Sequence, residues 1–168
     1  MPQDSRPIVG RDRADMRYQF EPMSQRQART VAAWRYTPPY DFYNWVGDPD
    51  DLAELLDPVQ RQGRYFAVLG DPAGLVGFFM FKHAGDTIEV GLGLRPDLTG
   101  GGLGLSFLLA GLEFAHERYA PARIQLAVAA FNQRAIRVYE RAGFSQCESY
   151  THRTNGGDHA FLRMERPG

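Results

Sequence analysis

The stretch EVGLGLRPDLTGGGLGLSFLLAGLEFAHE, residues 89–117, decides the fold. Its first residues belong to an apolar run, Thr87–Leu94, that predicts a β-strand. Its last part, Leu103–Glu117, carries leucines at positions 105, 108, 109 and 112, the spacing of one buried helical face. Glycines join the two, and because they lack a Cβ they let the backbone approach a phosphate beside the helix N-terminus. The stretch therefore predicts a strand, an anion-binding loop and a helix in succession.

Two common nucleotide-binding motifs can be tested against this loop. The motif G-x-x-x-x-G-K is absent, because Lys82 is the only lysine in the chain. The dinucleotide motif G-x-G-x-x-G also fails, because Gly100 and Gly102 are followed by Leu105 where it needs glycine. The loop therefore predicts neither a P-loop nor a dinucleotide-binding fold.

Patterns on either side of the loop predict the remaining elements. Alternating apolar residues predict strands at Arg17–Pro22, Arg64–Leu69, Leu75–Lys82, Arg123–Ala129, Ser145–Thr151 and Asp158–Glu165. Capping residues and apolar spacing predict helices from Ser24 to about Arg35, over Asp48–Arg61 and over Asn132–Ala142, with an aromatic loop at Tyr36–Trp45. This order predicts an α+β domain with a mixed, mostly antiparallel central sheet flanked by helices.

Length and composition are those of one globular domain, with 168 residues of which 43% are hydrophobic and 23% charged. Residues 17–168 are predicted to form that domain. Residues 1–16 mix Pro, Arg, Asp and Gly without periodicity, which predicts a flexible tail. No apolar stretch reaches the roughly 18 residues of a membrane span, and no secretory signal is seen, so we expect no membrane partner and a cytoplasmic location.

Single residue types narrow the function further. Cys147 is the only cysteine, which rules out an intrachain disulfide and predicts an inert, buried thiol. The four histidines lie far apart without ligand spacing, so we expect no metal site. A formal net charge of −1 lacks the clustered excess of Lys and Arg that nucleic-acid binding needs, so we expect no nucleic-acid partner.

Charge is nevertheless unevenly distributed along the chain. Residues 41–58 contain six carboxylates and no Lys or Arg, whereas residues 118–141 contain five arginines and a single glutamate. The first segment favours a cationic ligand, and the second favours a compact anion such as a phosphorylated cofactor. Two solvated helix faces would give the same pattern, so both interpretations stay open here.

Two motifs resemble the signatures of the Gcn5-related N-acetyltransferases (GNAT). Thr99-x-x-Gly102-x-Gly104 resembles that family's Q/R-x-x-G-x-G/A loop except at its first residue. Downstream, Asn132-x-x-Ala135-x-x-x-Tyr139-x-x-x-Gly143-Phe144 resembles the second signature, N-x-x-A-x-x-x-Y-x-x-x-G-F. The resemblance covers about Arg17 to Arg166, and it implies the GNAT architecture, in which the strands on either side of the cofactor splay apart.

The resemblance implies acetyl-CoA as the acetyl donor, without a metal. The pantetheine arm is then expected along Leu92, Gly93 and Leu94. The pyrophosphate is expected on the backbone amides of the loop, at Gly100, Gly101, Gly102, Leu103, Gly104 and Leu105. Asn132 is expected to contact the pantetheine arm, and it also suits the N-cap of the following helix.

Tyr139 maps onto the general acid of the family. A phenol with a pKa of about 10 stays protonated at neutral pH and can protonate the departing thiolate. The family often has a glutamate as base five residues before the Asn, where this chain has Ala127. Glu89 is the substitute base, directly or through water, although strand alternation puts it on the face opposite Leu92 and Leu94.

The implied function is acetyl transfer to a primary amine by direct attack. Tyr40, Asp41, Tyr43 and Asn44 lie in the loop that lines the acceptor pocket in this fold, or they form a hydrophobic plug over the sheet. The acceptor is a small-molecule or peptide amine, and a homodimer is left open. Because Ala127 stands where the family often has its base, the alternative is a non-catalytic domain that binds or senses acyl-CoA. A third interpretation is that the glycine loop binds another phosphorylated ligand.

Overall fold

A computed structural model describes residues 16–168. The predicted tail therefore lies outside the described residues, apart from Met16. That residue packs its side chain against the hydrophobic core.

One seven-stranded sheet forms the centre of the fold, in the order β1-β2-β3-β4-β5-β7-β6. The strands are β1 Tyr18–Pro22, β2 Tyr65–Gly70, β3 Gly74–Ala84, β4 Thr87–Leu94, β5 Arg123–Ala129, β6 Ser145–Thr154 and β7 Gly157–Pro167. Only β4 and β5 pair in parallel, and every other neighbouring pair is antiparallel. The predicted α+β class with a mixed, mostly antiparallel sheet is confirmed.

Within the described residues, five helices flank the sheet: α1 Gln25–Ala32, α2 Pro49–Leu56, α3 Pro58–Arg61, α4 Gly104–Tyr119 and α5 Gln133–Arg141. The helix predicted to continue to about Arg35 ends at Ala32, and the aromatic loop contains two short turns of 3-10 helix, Tyr40–Tyr43 and Trp45–Gly47. None of the helices within residues 16–168 is long and apolar enough to cross a membrane.

The single helix predicted over Asp48–Arg61 is wrong, because it is divided at Asp57. The Asp57 side chain accepts hydrogen bonds from the backbone N–H groups of Val59 and Gln60 and so caps a new helix, with Pro58 at its first position. Asp48 and Pro49 begin α2 in the same way. The repeated Asp-Pro pair was the sequence signal for two helix starts.

The parallel pairing of β4 with β5 stops after three residue pairs. Thr87, Ile88 and Glu89 pair with β5, and no pairing continues along the rest of β4. The strands therefore diverge from Val90 onward, as the resemblance implied, and they open a gap in the middle of the sheet. Beyond Glu89, the backbone groups of β4 that face β5 are left without a strand partner. The Leu94 carbonyl among them accepts a hydrogen bond from the Tyr36 hydroxyl, and the others are available to a ligand with amide groups.

Apolar residues pack on both faces of the sheet. The larger cluster lies beneath α4 and α5 and includes Phe79, Phe81 and Phe107, all nearly inaccessible. The smaller cluster lies beneath α1 and α2 and includes Trp34 and Leu55. The gap between β4 and β5 is thus held between two packed layers.

The prediction that Cys147 is buried is wrong, because this residue is exposed. The register of β6 against its neighbour β7 shifts between Gln146 and Glu148, so Cys147 is the additional residue of a bulge on an edge strand. Its thiol donates a hydrogen bond to the carbonyl of Arg163. Limited desolvation of the thiol, followed by the nearby Glu165 carboxylate, raises its pKa.

Candidate active site

A cavity of about 640 Å³ occupies the gap where β4 and β5 diverge. The glycine loop and α5 line one part of it, and the aromatic loop, α2 and the tip of the β6–β7 hairpin line another. Leu92, Gly93 and Leu94, the residues expected along a pantetheine arm, line the cavity from β4. One space thus connects the predicted cofactor loop with the acidic segment.

The glycine loop leaves its backbone amides open to a ligand. Gly100 and Gly102 have φ values of +72° and +84°, a backbone conformation that residues other than glycine rarely adopt. No side chain caps the N-terminus of α4, so its first backbone N–H groups remain available to a ligand. The Thr99 hydroxyl donates to the carbonyl of Pro96 at 2.7 Å, which fixes it within the loop.

Arg134 brings a positive charge to the same loop. Its guanidinium carbon lies 3.9 Å from the centre of the Tyr40 ring, a stacked cation–π arrangement. A guanidinium nitrogen comes within 3.4 Å of the position that a Cβ would take at Gly100. Arg134 therefore places a positive charge beside the glycine loop, where Thr99 carries none. The sequence signal was the run of arginines in residues 118–141, but nothing in it singled out this one.

Tyr139 lies on α5 with its side chain against Phe144 and lines the cavity. Its hydroxyl has no hydrogen-bond partner in residues 16–168. The hydroxyl oxygen is not fully inaccessible, so it is open to the cavity that Tyr139 lines. Burial, and to a smaller extent the nearby Tyr43, raises the pKa of this phenol above its ordinary value. The hydroxyl is thus protonated and free to donate into the cavity at neutral pH.

Asn132 holds the start of α5 and reaches across to the aromatic loop. Its side-chain oxygen accepts from the backbone N–H of Ala135 at 3.1 Å, the predicted N-cap. Its Nδ2 donates to the hydroxyl of Tyr43 at 3.1 Å. Asn44 supports the same loop, since its Oδ1 accepts from the N–H of Tyr36, and the Tyr36 hydroxyl in turn donates to the carbonyl of Leu94.

The acidic end of the cavity is formed by Asp48, Asp51 and Glu54 on and before α2. Both carboxylate oxygens of Asp48 are used, one by the N–H of Asp51 and the other by the hydroxyl of Thr154 at the hairpin tip. Burial, followed by the charges of Asp48 and Glu54, raises the pKa of Asp51. Excess negative charge therefore faces the cavity.

Several predicted site residues lie outside the lining of this cavity. Asp41 lines a separate depression with Phe42 and Phe131, so the acids that face the cavity are those of α2 instead. Glu89 is exposed, and its strand neighbours are Lys82 and Gln125. Gly101 and Leu103 also do not line the cavity, whereas the other predicted cofactor and acceptor residues do. Ala127 lines it in place of a carboxylate.

Solved structures with the same fold include two acetyltransferases. Spermidine N-acetyltransferase from Vibrio cholerae, solved with CoA and spermine, matches with a TM-score of 0.73 at 20% identity, over 89% of this chain and 95% of that one. A GNAT-family acetyltransferase from Bacillus anthracis matches with a TM-score of 0.70 at 18% identity, over 90% and 95% of the two chains. At these identities the likeness establishes the fold.

Curated relatives are similar in sequence over part of the chain. The mycothiol acetyltransferase of Corynebacterium aurimucosum is 41% identical over 108 residues, which is 61% of this chain and 33% of that protein. That of Salinispora tropica is 33% identical over 107 residues, or 60% and 35% of the two chains. The match therefore spans about a third of the length of these relatives.

A family model adds the broadest match. The model of the acetyltransferase (GNAT) domain matches residues 6–145, which include the glycine loop, the diverging strands and Tyr139. Both signatures fall within this range, whereas the cavity also takes lining residues from the β6–β7 hairpin beyond it. The chain belongs to the GNAT acetyltransferase family.

Proposed function

We propose that the protein transfers an acetyl group from acetyl-CoA to a primary amine by direct attack. The observation that carries this proposal is the single cavity that contains the uncapped glycine loop, the free hydroxyl of Tyr139 and the acids of α2. The loop and Arg134 suit the pyrophosphate of acetyl-CoA, and the acids suit an amine that arrives as a cation.

The proposed reaction places one proton donor and no protein base at the reacting atoms. The amine nitrogen attacks the thioester carbonyl carbon, the carbon–sulfur bond breaks, and Tyr139 protonates the leaving thiolate. The proton lost by the amine goes to water, because Ala127 stands where the family often has its glutamate and Glu89 does not reach the cavity lining. Tyr139 then regains its proton from solvent.

The named relatives support an amine acceptor. The matched Vibrio cholerae protein is a spermidine N-acetyltransferase, and spermidine is a polycationic amine. The acidic end of the cavity in this chain is consistent with an acceptor of the same charge. A release assay for the CoA thiol, run with a panel of small amines and N-terminal peptides, tests the activity and identifies the acceptor.

The alternative, a non-catalytic domain that binds acyl-CoA, rests on Ala127. Such a domain would need the glycine loop but would have no use for a protonated phenol open to the cavity. Thiol release that stays at the rate without amine across the whole panel, together with tight acetyl-CoA binding, would favour this alternative.

Acetyl-CoA is expected to stabilise the fold, whereas NAD and ATP are not. The loop offers amides for a pyrophosphate, but it has neither the lysine of a P-loop nor the geometry of a dinucleotide motif. At a ligand concentration about 100 times Kd, the free energy of unfolding is expected to rise by about 2.7 kcal/mol. Thermal melts with each ligand measure this, and equal shifts with ATP and acetyl-CoA would contradict the assignment.

Arg134→Gln is expected to raise the Kd for acetyl-CoA by about 10-fold, the effect of losing one charged hydrogen bond to an anion. The matched control is Arg137→Gln, because Arg137 lies on the same helix, is exposed like Arg134 and, unlike Arg134, lies outside the cavity lining. Calorimetric titration of both variants separates a specific contact from the general loss of one positive charge. Equal weakening by the two substitutions would assign the effect to net charge alone.

A further inference from the structure

We propose that the acidic end of the cavity is a subsite for a second ammonium group, so that the acceptor is a diamine or polyamine rather than a simple amine. Asp51, Glu54 and Tyr65 form this subsite. The inference rests on the proposed function for the reacting amine, but the second ammonium group is recognised by residues that take no part in the chemistry.

The Asp51 carboxylate has no compensating partner. It makes no hydrogen bond or ion pair within residues 16–168, whereas Asp48 is held by Asp51 N–H and by Thr154. The carboxylates of Asp48 and Glu54 surround it, and the electrostatic influence of His152 from β6 is weaker than theirs. An organic cation that entered this end of the cavity would relieve the repulsion between these carboxylates.

Tyr65 gives an independent indication of a ligand. This residue lies on β2, is only 5% exposed and lines the cavity. Its hydroxyl has no hydrogen-bond partner in the described part of the chain, yet the hydroxyl oxygen is not fully inaccessible, so it opens onto the cavity that the residue lines. Burial is the main cause that raises the pKa of this phenol, and the neighbouring charges of Glu54 and Asp51 raise it further. An unpaired hydroxyl thus opens onto the same space as an unpaired carboxylate.

Aromatic rings complete the walls of this end of the cavity. Trp45 and Phe78 line it, with ring centres 5.6 Å apart, and Tyr36 lines it from the other end of the aromatic loop. Carboxylates set among aromatic faces are suited to an alkylammonium ion, since the faces attract the cation and contact its methylene groups.

The local charges match more than one ammonium group. Three carboxylates line this end, and Glu54 is paired with the half-exposed Arg64 at 3.3 Å. Asp48 and Asp51 then remain without a cationic partner, with His152 the other ionisable group facing Asp51 from the hairpin. An acceptor with a single amine would lose its charge before attack and leave this negative charge uncompensated, whereas a second ammonium group keeps its charge throughout.

Calorimetric titration of the full chain saturated with CoA tests this inference. Linear diamines from putrescine to diaminooctane are compared with the monoamine of the same carbon number, so that each pair differs in one ammonium group. At neutral pH the best diamine is expected to bind about 10- to 100-fold more tightly than its monoamine, the range for one to two charged contacts. Asp51→Asn is expected to abolish this preference, and Tyr65→Phe to reduce it.

Asp50→Asn is the matched control, because Asp50 is the adjacent acid on α2, is exposed like Asp51 and, unlike Asp51, lies outside the cavity lining. It is expected to keep the preference for diamines. Equal affinity for the members of every pair, no binding of any amine, or a preference that survives Asp51→Asn would overturn the inference. A preference for diamines without acetyl transfer to any amine would instead contradict the proposed function and leave the subsite in place.

Discussion

Replacing Tyr139 with phenylalanine is expected to lower kcat by about 10²–10⁴-fold, the usual contribution of a general acid. The Kd for acetyl-CoA is expected to stay the same, because the hydroxyl makes no structural hydrogen bond in residues 16–168 and the ring keeps its packing against Phe144. Thiol-release kinetics and calorimetric titration separate the two effects. An unchanged kcat would mean that water protonates the thiolate and that Tyr139 only packs.

The pH dependence provides a second measurement on the same residue. The pKa of Tyr139 is raised, so its protonated form persists over the whole neutral and mildly alkaline range and causes no loss of activity there. The amine must lose a proton before attack, so kcat/KM is expected to rise with pH and to show no fall on the alkaline side up to about pH 10.

Tyr119→Phe is the matched control for the loss of a phenolic hydroxyl. Within residues 16–168, the Tyr119 hydroxyl is the buried side-chain polar atom without a hydrogen-bond partner, and Tyr119 does not line the cavity. Its removal is expected to leave kcat unchanged. A similar loss of activity in both variants would indicate general damage to the fold.

Replacing Gly102 with valine is expected to raise the Kd for acetyl-CoA by at least about 100-fold, which corresponds to the loss of charged hydrogen bonds from the loop amides. The φ of +84° at Gly102 is strongly unfavourable for a β-branched residue, although the structure leaves open space for its side chain. The backbone must therefore change, and its amides turn away from the ligand.

Gly85→Val separates this local effect from loss of stability. Gly85 has a φ of +65° and equally open surroundings, but it lies in the turn between β3 and β4, at the far end of β4 from the glycine loop. Both variants are expected to lose similar stability in thermal melts, and only Gly102→Val to lose acetyl-CoA binding. If both bind acetyl-CoA normally, the loop amides do not hold the cofactor.

The glycine-loop half of the candidate site could be predicted from the sequence because its signals are local. The strand, the glycine loop and the helix of residues 89–117 follow one another along the chain, and Asn132 and Tyr139 lie on one short helix. Alternation along β4 also gave the correct face for Glu89. What alternation cannot give is the shape of the cavity, and so it could not show that Glu89 lies outside the lining.

The acceptor half depends on contacts between distant parts of the chain. The Thr154 hydroxyl donates a hydrogen bond to Asp48, 106 residues away in sequence, and the Asn155 amide donates one to the carbonyl of Phe42, 113 residues away. No local pattern reports such pairs. The distribution of charge along the chain therefore favoured the whole acidic segment as the site for a cation, without distinguishing Asp41 from Asp51. Tyr65 was missed for the same reason, since a tyrosine in a strand gives no sign that its hydroxyl will be unpaired.

The bonds from the tip of the β6–β7 hairpin also bear on the order of folding. Strands β1 to β4 pair mainly with neighbours in sequence, whereas the wall of the acceptor cavity closes only when Thr154 and Asn155 reach the aromatic loop. Contacts of such high sequence separation form late, because the loop-closure entropy must first be overcome. During synthesis, a chain on the ribosome would therefore form its glycine loop well before it could enclose an amine. The two parts of the cavity, the glycine loop and the part closed by the hairpin tip, would fold at different times.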